Sequence, residues 1–206
     1  MGLTPDPDNS AAYDEALAKV TVGAVTPLRG AIEIRDYDPA WPSLYEREAA
    51  RIGVALGERV VRLEHAGSTS VPGLAAKPVI DIVLEVPDSA DEGGYAPDLE
   101  RAGYAFAIRE PEWFEHRLFK GPGTNVNLHV FSAACAETDR MLRLRDWLCR
   151  SAADRDLYAR CKRELAAREW KYVQQYADAK TEVIAAIMTR ALANHGPRPA
   201  CRHPSG

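Results

Sequence analysis

Residues 65–86 have the sequence HAGSTSVPGLAAKPVIDIVLEV, and this stretch decides the fold. Its second part, PVIDIVLEV at 78–86, is apolar enough to form an inner strand of a sheet. The segment GSTSVPGLAAK at 67–77 is rich in Gly and Ser and predicts a loop, and VVRLEHAG at 60–67 has the pattern of a strand. We therefore predict two core strands joined by a small-residue loop.

A charged residue lies in the middle of the second strand. Asp81 is flanked by Val and Ile residues, and an ionised carboxylate in such surroundings must be paired, hydrogen-bonded or bound to a cation, because desolvation strongly disfavours it alone. Lys77 places a positive charge shortly before it. Asp81 therefore either forms a structural pair with a Lys, Arg or His, or belongs to a functional site with Lys77.

The loop before this strand has a composition that suits an anion. At Gly67 a phosphate oxygen can approach the backbone N–H groups closely, and the hydroxyls of Ser68, Thr69 and Ser70 add donors. In the alternative interpretation Gly67 and Gly73 only make turns, since short glycine motifs often match by chance. The spacing alone leaves both interpretations open.

The segments on either side predict an α+β domain with a mixed sheet of about five or six strands flanked by helices, and a helical C-terminal part. Helical patterns occur at 38–56, at 88–103 and, in three segments, from residue 137 to residue 192. Further strand patterns are AIEIRDY (31–37), YAFAIRE (104–110), HRLFKG (116–121) and VNLHVF (126–131).

The chain of 206 residues suits one domain. Composition predicts a flexible, loosely attached N-terminal arm at 1–30, the domain at 31–194, and a disordered, Pro-rich tail at 195–206. A net charge of -4 argues against a broad nucleic-acid-binding surface, and no apolar run is long enough for a membrane span. We expect a cytoplasmic protein, and the sequence leaves the oligomeric state open.

Several separated motifs follow one another along the chain. They are GSTSVPGLAAKPVID (67–81) after His65, GlyTyr (103–104), HisArgLeuPhe (116–119), AsnLeuHisVal (127–130), ArgAsp (145–146), Tyr158 with Lys162, and Tyr176 with Lys180. Together these motifs resemble the GrpB family, also called UPF0157. The resemblance extends from residue 32 to about residue 192 and is far more specific than a lone glycine pattern.

This resemblance implies the nucleotidyltransferase superfamily, in which a GlySer pair holds a triphosphate and acidic residues on strands hold two Mg²⁺ ions. It implies that the loop from Gly67 to Ser70 holds the phosphates of ATP or another nucleoside triphosphate. Asp81 would hold Mg²⁺, while Lys77 and Arg117 would neutralise charge during phosphoryl chemistry. Of the two cations in HRLFK, Arg117 is preferred over Lys120.

The carboxylates of that superfamily are incomplete in this sequence. Val83 occupies the position where a second carboxylate would share the metal with Asp81, and Asn127 and His129 stand on the later strand that usually supplies a third. Glu85 projects to the same face of the strand as Asp81. It lies four residues further along, however, a distance of roughly 13 Å, which is too long for both carboxylates to bind one metal ion. Glu85 is therefore a weak substitute.

Two further groups of residues are candidates for the site. Lys162 and Lys180 could bind phosphate, or their stems could pack on the aromatic rings four residues before them. His65, His116 and His129 could converge on Zn²⁺ or another transition metal, or could hydrogen-bond the loop or one another.

Three functional hypotheses follow. The first is a nucleotidyltransferase-like protein that binds a nucleoside triphosphate with Mg²⁺ and acts at phosphate on an unknown small-molecule acceptor. The second is a catalytically degenerate nucleotide-binding or accessory module, which the missing carboxylates favour. The third is a metal-dependent hydrolase built on the three histidines.

Overall fold

A computed structural model describes residues 10–194, and five strands in it form one mixed sheet. The strands are β1 (Arg62–Ala66), β2 (Ile80–Val86), β3 (Ala105–Glu110), β4 (His116–Lys120) and β5 (Val126–Ser132). Their order across the sheet is β1-β2-β5-β4-β3. Neighbours β2 and β5 run parallel, and the other pairs are antiparallel. The predicted α+β class and mixed sheet are confirmed.

Seven α-helices surround the sheet in the described part of the chain. They are α1 (Ser10–Val20), α2 (Trp41–Leu56), α3 (Ala96–Arg101), α4 (Ala136–Arg150), α5 (Ala152–Ala166), α6 (Val173–Asp178) and α7 (Thr181–Ala193). The last four confirm the helical C-terminal part, although the predicted third segment is divided into α6 and α7. None of the helices described is long and apolar enough to cross a membrane.

The two faces of the sheet have different environments because side chains alternate along each strand. Ile80, Ile82 and Leu84 of β2 are buried in the main core, together with Ile52 of α2 and Leu99 of α3. Burying an aliphatic side chain of this size contributes roughly 1.5–3 kcal/mol. This core fixes β2 in place and directs Asp81 to the opposite face.

The opposite face is covered by α4 over only part of its area. Val83 of β2 and Phe131 of β5 pack there with Ala66 and Leu142. Asp81 lies on this face and its side chain remains 27% exposed. The end of the sheet nearest Asp81 is therefore open to solvent.

The segment at 31–37 forms a single bridge instead of the predicted strand. Arg35 and Ala76 exchange two backbone hydrogen bonds of 2.8 and 2.9 Å, and no longer ladder forms between them. Ile32 is instead buried against Leu165 and Tyr176. An alternating pattern shows which residues are buried, but a ladder also requires a free strand edge.

Residues 10–30 lie on the domain, contrary to the loose attachment expected from their composition. Tyr13 is 2% exposed, stacks on Tyr172, and donates a 2.6 Å hydrogen bond to Asp178. The amide of Val22 donates to the carbonyl of Ala107 in β3. Residues 1–9 of the predicted arm, and the predicted tail at 195–206, lie outside the described residues.

Candidate functional site

Strand register places four side chains in one row across the sheet. Asp81 is paired with Ala66 of β1 and with Asn127 of β5, and Asn127 is paired with Lys120 of β4. Directly paired residues project to the same face. The row therefore brings Asp81, Asn127 and Lys120 together at the open end of the sheet.

Asp81 is held by side chains of β5. Asn127 donates a 2.8 Å hydrogen bond from Nδ2 to Asp81 Oδ1, and its own Oδ1 accepts a 2.5 Å bond from Lys120. His129 Nε2 lies 3.8 Å from Asp81 Oδ1. Burial alone would raise the pKa of Asp81, but His129, Asn127 and Lys77 outweigh it and hold that pKa below its ordinary value.

Gly67 lies directly against this carboxylate. Its backbone has φ 66° and ψ −169°, a conformation that side chains other than hydrogen rarely allow. A Cβ atom at this position would lie 2.3 Å from Asp81 Oδ2. The contact therefore requires glycine.

Most hydroxyls of the predicted phosphate loop are used within the protein. Ser70 donates a 2.6 Å hydrogen bond to the carbonyl of Gly67, and Thr69 donates a 3.1 Å bond to the carbonyl of Val79. Both side chains are buried. Ser68 is only partly buried, and its side chain interacts with Tyr158 of α5, a phenol on which the charge of Asp81 also acts. Of the three hydroxyls, that of Ser68 is the one placed to contact a ligand.

Two lysines of the C-terminal helices lie over aromatic rings at the same site. Lys162 Nζ is 4.6 Å from the ring centre of Tyr158, and Lys180 Nζ is 4.5 Å from that of Tyr176. The expected aromatic packing is thus confirmed for both. The charge of Asp81 nevertheless acts on both ammonium groups. Packing on an aromatic ring is therefore compatible with a role for both lysines at the Asp81 site.

The charge of Asp81 acts on four lysines in total, and all four have lowered pKa values. Burial lowers the pKa of Lys162 to about 6, helped by repulsion from Lys180. Burial lowers the pKa of Lys180 to about 8 against the attraction of Asp81, and Lys77 adds repulsion. Burial also lowers the pKa of Lys77 and of Lys120. The site is crowded with cations.

Arg117 does not lie at this site. It is paired with Val130, so it projects to the opposite face of the sheet from Asp81. There it donates a 2.5 Å hydrogen bond to Glu92 and a 3.2 Å bond to Glu115. Lys120 takes the place predicted for Arg117. The alternation of side chains along β4 could have predicted this difference, because residues 116, 118 and 120 share one face and residue 117 lies on the other.

The three histidines do not converge. His65 is paired with Ile82, lies on the main-core face, and stacks on Tyr45 of α2 at 4.8 Å. Its Nε2 is 3.1 Å from the hydroxyl of Thr69. His116 and His129, in contrast, lie on the Asp81 face. Among the residues described, no group of three or more His, Cys, Asp and Glu side chains could hold a metal ion. The three-histidine metal site is therefore wrong.

A chain of hydrogen bonds connects His129 to a carboxylate on β3. Glu110 Oε2 is 2.7 Å from His116 Nδ1, and His116 Nε2 is 3.1 Å from His129 Nδ1. Burial lowers the pKa of His116 to about 4, so this imidazole is neutral at physiological pH. Because the Glu110 carboxylate accepts a hydrogen bond, the neutral His116 carries its proton on Nδ1. Its Nε2 is then an acceptor, so His129 donates to it from a protonated Nδ1. When His129 is neutral, the lone pair of its Nε2 consequently faces Asp81, and when His129 is protonated the same Nε2 donates towards Asp81 and lowers its pKa.

The family of the chain follows from its comparison with known proteins. Residues 31–190 match the model of the family described as GrpB protein. The chain belongs to the GrpB family. A crystal structure of the conserved protein GrpB from Enterococcus faecalis is similar, with a TM-score of 0.67 and 30% identity. That match covers 78% of this chain and 98% of the other, which supports the fold described above.

Two relatives of this GrpB-family chain show different extents of similarity. A UPF0157 protein of Halalkalibacterium halodurans is 59% identical over 180 residues, covering 87% of this chain and 92% of the relative. A dephospho-CoA kinase of Mycobacterium tuberculosis is 29% identical over 171 residues, covering 69% of this chain and 42% of the kinase. The second likeness therefore concerns less than half of the kinase.

The GrpB residues present at the site do not fit a two-Mg²⁺ centre. Val83 is fully buried among apolar side chains, and Asn127 uses its amide nitrogen on Asp81 and its oxygen on Lys120. Glu85 is buried beyond Val83 in the strand and accepts a 3.4 Å bond from the amide of Ala134. The Mg²⁺ ion at Asp81 stays a prediction.

Two surface cavities of the GrpB domain lie away from Asp81. The groove between α2 and α3 has a volume of about 600 Å³, and the groove between α4 and α7 has about 540 Å³. In the first, Asp98 pairs with Arg101, and in the second the wall is largely apolar. We place the chemistry at Asp81 because charged groups of several elements interact there.

The hydrogen-bond chain predicts the tautomer of His129. In ¹⁵N–¹H spectra recorded well above the ordinary imidazole pKa, we expect a protonated Nδ1 and an unprotonated Nε2. His65 serves as an internal control with the opposite tautomer, because Thr69 donates to Val79 and must accept from His65 Nε2. Glu110→Gln should give a mixture at His129, since an amide can donate or accept. A protonated Nε2 at His129 in the unmodified protein would contradict the chain.

Proposed function

We propose that this GrpB-family protein binds the phosphates of a nucleoside triphosphate beside Asp81 and acts at phosphate as a nucleotidyltransferase-like protein. The observation that carries the proposal is the set of four lysines around one carboxylate. A cluster of like charges with lowered pKa values is relieved by an anion, which restores the charged form of each ammonium. A polyphosphate is an anion with enough charge and oxygen acceptors for such a cluster.

Three of the four lysines have a definite support in the protein. Lys120 is held by Asn127, Lys162 donates to the carbonyl of Ala75, and Lys180 lies over Tyr176. Lys77 lies in the loop just before β2. Ammonium groups that are held in place lose less entropy when they bind a phosphate oxygen. Ser68 adds a hydroxyl, and Gly67 allows the loop to approach the site.

The acceptor would lie on the histidine side of the site. Asp81 Oδ1 and His129 Nε2 face each other at 3.8 Å, and both present lone pairs when His129 is neutral. A hydroxyl or amine of the acceptor is the kind of group that donates to both. In this arrangement His129 would accept a proton from the attacking group, which is a general-base role.

A second candidate function is a nucleotide-binding accessory module without turnover. Val83 and Asn127, which stand at carboxylate positions of the superfamily, favour it, and so does the partial likeness to a dephospho-CoA kinase. Both candidates predict nucleotide binding. Release of pyrophosphate or of a labelled nucleotide product with a panel of hydroxyl and amine acceptors distinguishes them.

Calorimetric titration with ATP, GTP, CTP, UTP and inorganic triphosphate tests the shared part of the proposal. We expect saturable binding of at least one nucleotide and of triphosphate itself, because the cluster contacts phosphate. The four bases reveal any preference for the nucleoside. If none of the five ligands binds, the proposed function is wrong.

The pH dependence of this binding follows from Lys180. Its pKa of about 8 means that the free protein loses this charge as the pH rises through 8, whereas a bound phosphate holds the proton on. We expect the affinity for triphosphate to fall between pH 7.5 and 9.5, by up to about tenfold per pH unit for each proton taken up. Titrations in two buffers of different ionisation enthalpy should show net proton uptake at pH 8. Lys180→Gln should reduce that uptake, and an affinity that rises with pH would contradict the assignment.

A further inference from the structure

The charges at the Asp81 site are unbalanced towards the positive. Within residues 10–194, none of Lys77, Lys120, Lys162 and Lys180 forms an ion pair with a carboxylate. In the same range the other lysines, Lys19 and Lys171, each pair with an acidic side chain. Lys120 is exposed, but Lys162 is buried and Lys77 and Lys180 are partly buried. Unpaired lysines below the surface are unusual, because charged groups there are normally compensated.

The lysines take up the ligand atoms and the space beside Asp81 that a metal ion would need. Asn127 turns its oxygen towards Lys120, which removes that oxygen as a metal ligand. Lys77 and Lys180 both act on the carboxylate of Asp81 by their charge. A divalent ion placed against Asp81 would be repelled by these ammonium groups in a setting where the effective dielectric constant is below that of water.

We propose that the four lysines supply the positive charge that Mg²⁺ ions supply in the nucleotidyltransferase superfamily, so that this site binds polyphosphate without a divalent metal. The inference rests on the proposed function and deepens it. Asp81 then has a different role from a metal ligand. It is the internal counter-ion that keeps the lysines together in the free protein, and the polyphosphate replaces much of that role when it binds.

Titrations of ATP and of inorganic triphosphate in EDTA and in excess Mg²⁺ test the inference on the unmodified protein. We expect the dissociation constant in EDTA to be equal to, or lower than, that in Mg²⁺, because Mg²⁺ neutralises part of the ligand charge that the lysines recognise. Binding at least about tenfold tighter in Mg²⁺ would overturn the inference and leave the proposed function standing. Absence of binding in both conditions would remove the proposed function itself.

Asp81→Asn separates the two roles of this carboxylate. The amide keeps an oxygen that can accept from Asn127 and removes the charge. If Asp81 is a counter-ion, the affinity for triphosphate in EDTA should increase at least about threefold. If Asp81 is a metal ligand, binding in Mg²⁺ should weaken and binding in EDTA should not improve, which would overturn the inference. Asp139→Asn is a matched control, since Asp139 is an exposed carboxylate on α4 and should change neither value.

Manganese offers a second, independent measurement. The electron paramagnetic resonance signal of free Mn²⁺ decreases when the ion binds to a protein. We expect the signal of Mn²⁺ alone to be unchanged by an equimolar amount of the protein. Loss of that signal, reversed by Asp81→Asn, would overturn the inference by showing a metal site at Asp81.

Discussion

Replacement of both Lys77 and Lys180 by glutamine is expected to weaken triphosphate binding by about 100-fold or more. A hydrogen bond from an ammonium to an ionised oxygen contributes roughly 1.5–3 kcal/mol, and roughly 1.4 kcal/mol corresponds to a tenfold change in affinity. Glutamine keeps much of the side-chain length and polarity but removes the charge. Calorimetric titration of inorganic triphosphate measures the change directly.

Lys19→Gln is the control for this double substitution. It removes the same kind of charge from α1, where Lys19 is exposed and pairs with Glu15. We expect its effect on triphosphate affinity to be small. An unchanged affinity in the double variant would show that the two ammonium groups do not contact the ligand.

The same double variant should retain its stability or gain some. The pKa values of Lys77 and Lys180 are lowered in the folded protein, so the unfolded chain binds more protons between those values and the ordinary lysine pKa. The free energy of unfolding therefore rises with pH in that range, and the charged lysines destabilise the fold at lower pH. Loss of binding without loss of thermal stability distinguishes a ligand-binding role from a structural one.

Gly67→Ala is expected to lower the free energy of unfolding by about 3 kcal/mol or more. The strained backbone at this position costs roughly 1–3 kcal/mol with a side chain. The new Cβ would also lie 2.3 Å from Asp81 Oδ2, so the carboxylate or the loop must move. Movement of Asp81 disrupts its hydrogen bond with Asn127. Urea denaturation followed by circular dichroism measures the loss.

Two other glycines separate the causes of this effect. Gly123 has φ 68° but open space around its Cα, so Gly123→Ala carries the backbone strain alone, roughly 1–2 kcal/mol. Gly53 lies inside α2, and a Cβ added there would have no atom of another element within 4 Å, so Gly53→Ala should stabilise by roughly 0.5–1 kcal/mol. If Gly67→Ala costs no more than Gly123→Ala, the contact with Asp81 is unimportant.

The central part of the site could be predicted from the sequence because it is local. An apolar strand with one carboxylate, preceded by a small-residue loop, places Gly67 beside Asp81 by chain connection alone. Lys77 belongs to the same segment. In such a case the burial pattern and the glycine together restrict the geometry before any tertiary contact is known.

The remainder of the site depends on pairings between distant segments. The choice between Arg117 and Lys120 depends on which face of β4 meets Asp81, and a shift of one residue reverses that face. His65 shows the same effect on β1, where it faces the main core. Lys162 and Lys180 reach the site only because the C-terminal helices fold back over it, which no local pattern contains.

The predicted arm at 1–30 attaches to the domain through its described residues 10–30, which was missed for a related reason. Its Pro, Asp and Gly content is typical of a mobile segment, yet two apolar residues of α1 are enough to attach it. Tyr13 and Leu17 are buried beside Tyr172, which lies more than 150 positions later in the chain. Composition averages over a segment, whereas attachment depends on a few side chains and their partners.

The four lysines belong to four different parts of the chain: the loop before β2, strand β4, helix α5, and the residue that precedes α7. A single polyphosphate bound to all of them would link the sheet to the C-terminal helices. Opening of those helices would then require release of the ligand, so amide hydrogen exchange in α5 and α7 slows as the site fills. Under the proposed function, ligand binding would therefore make the helical part and the sheet unfold as one cooperative unit.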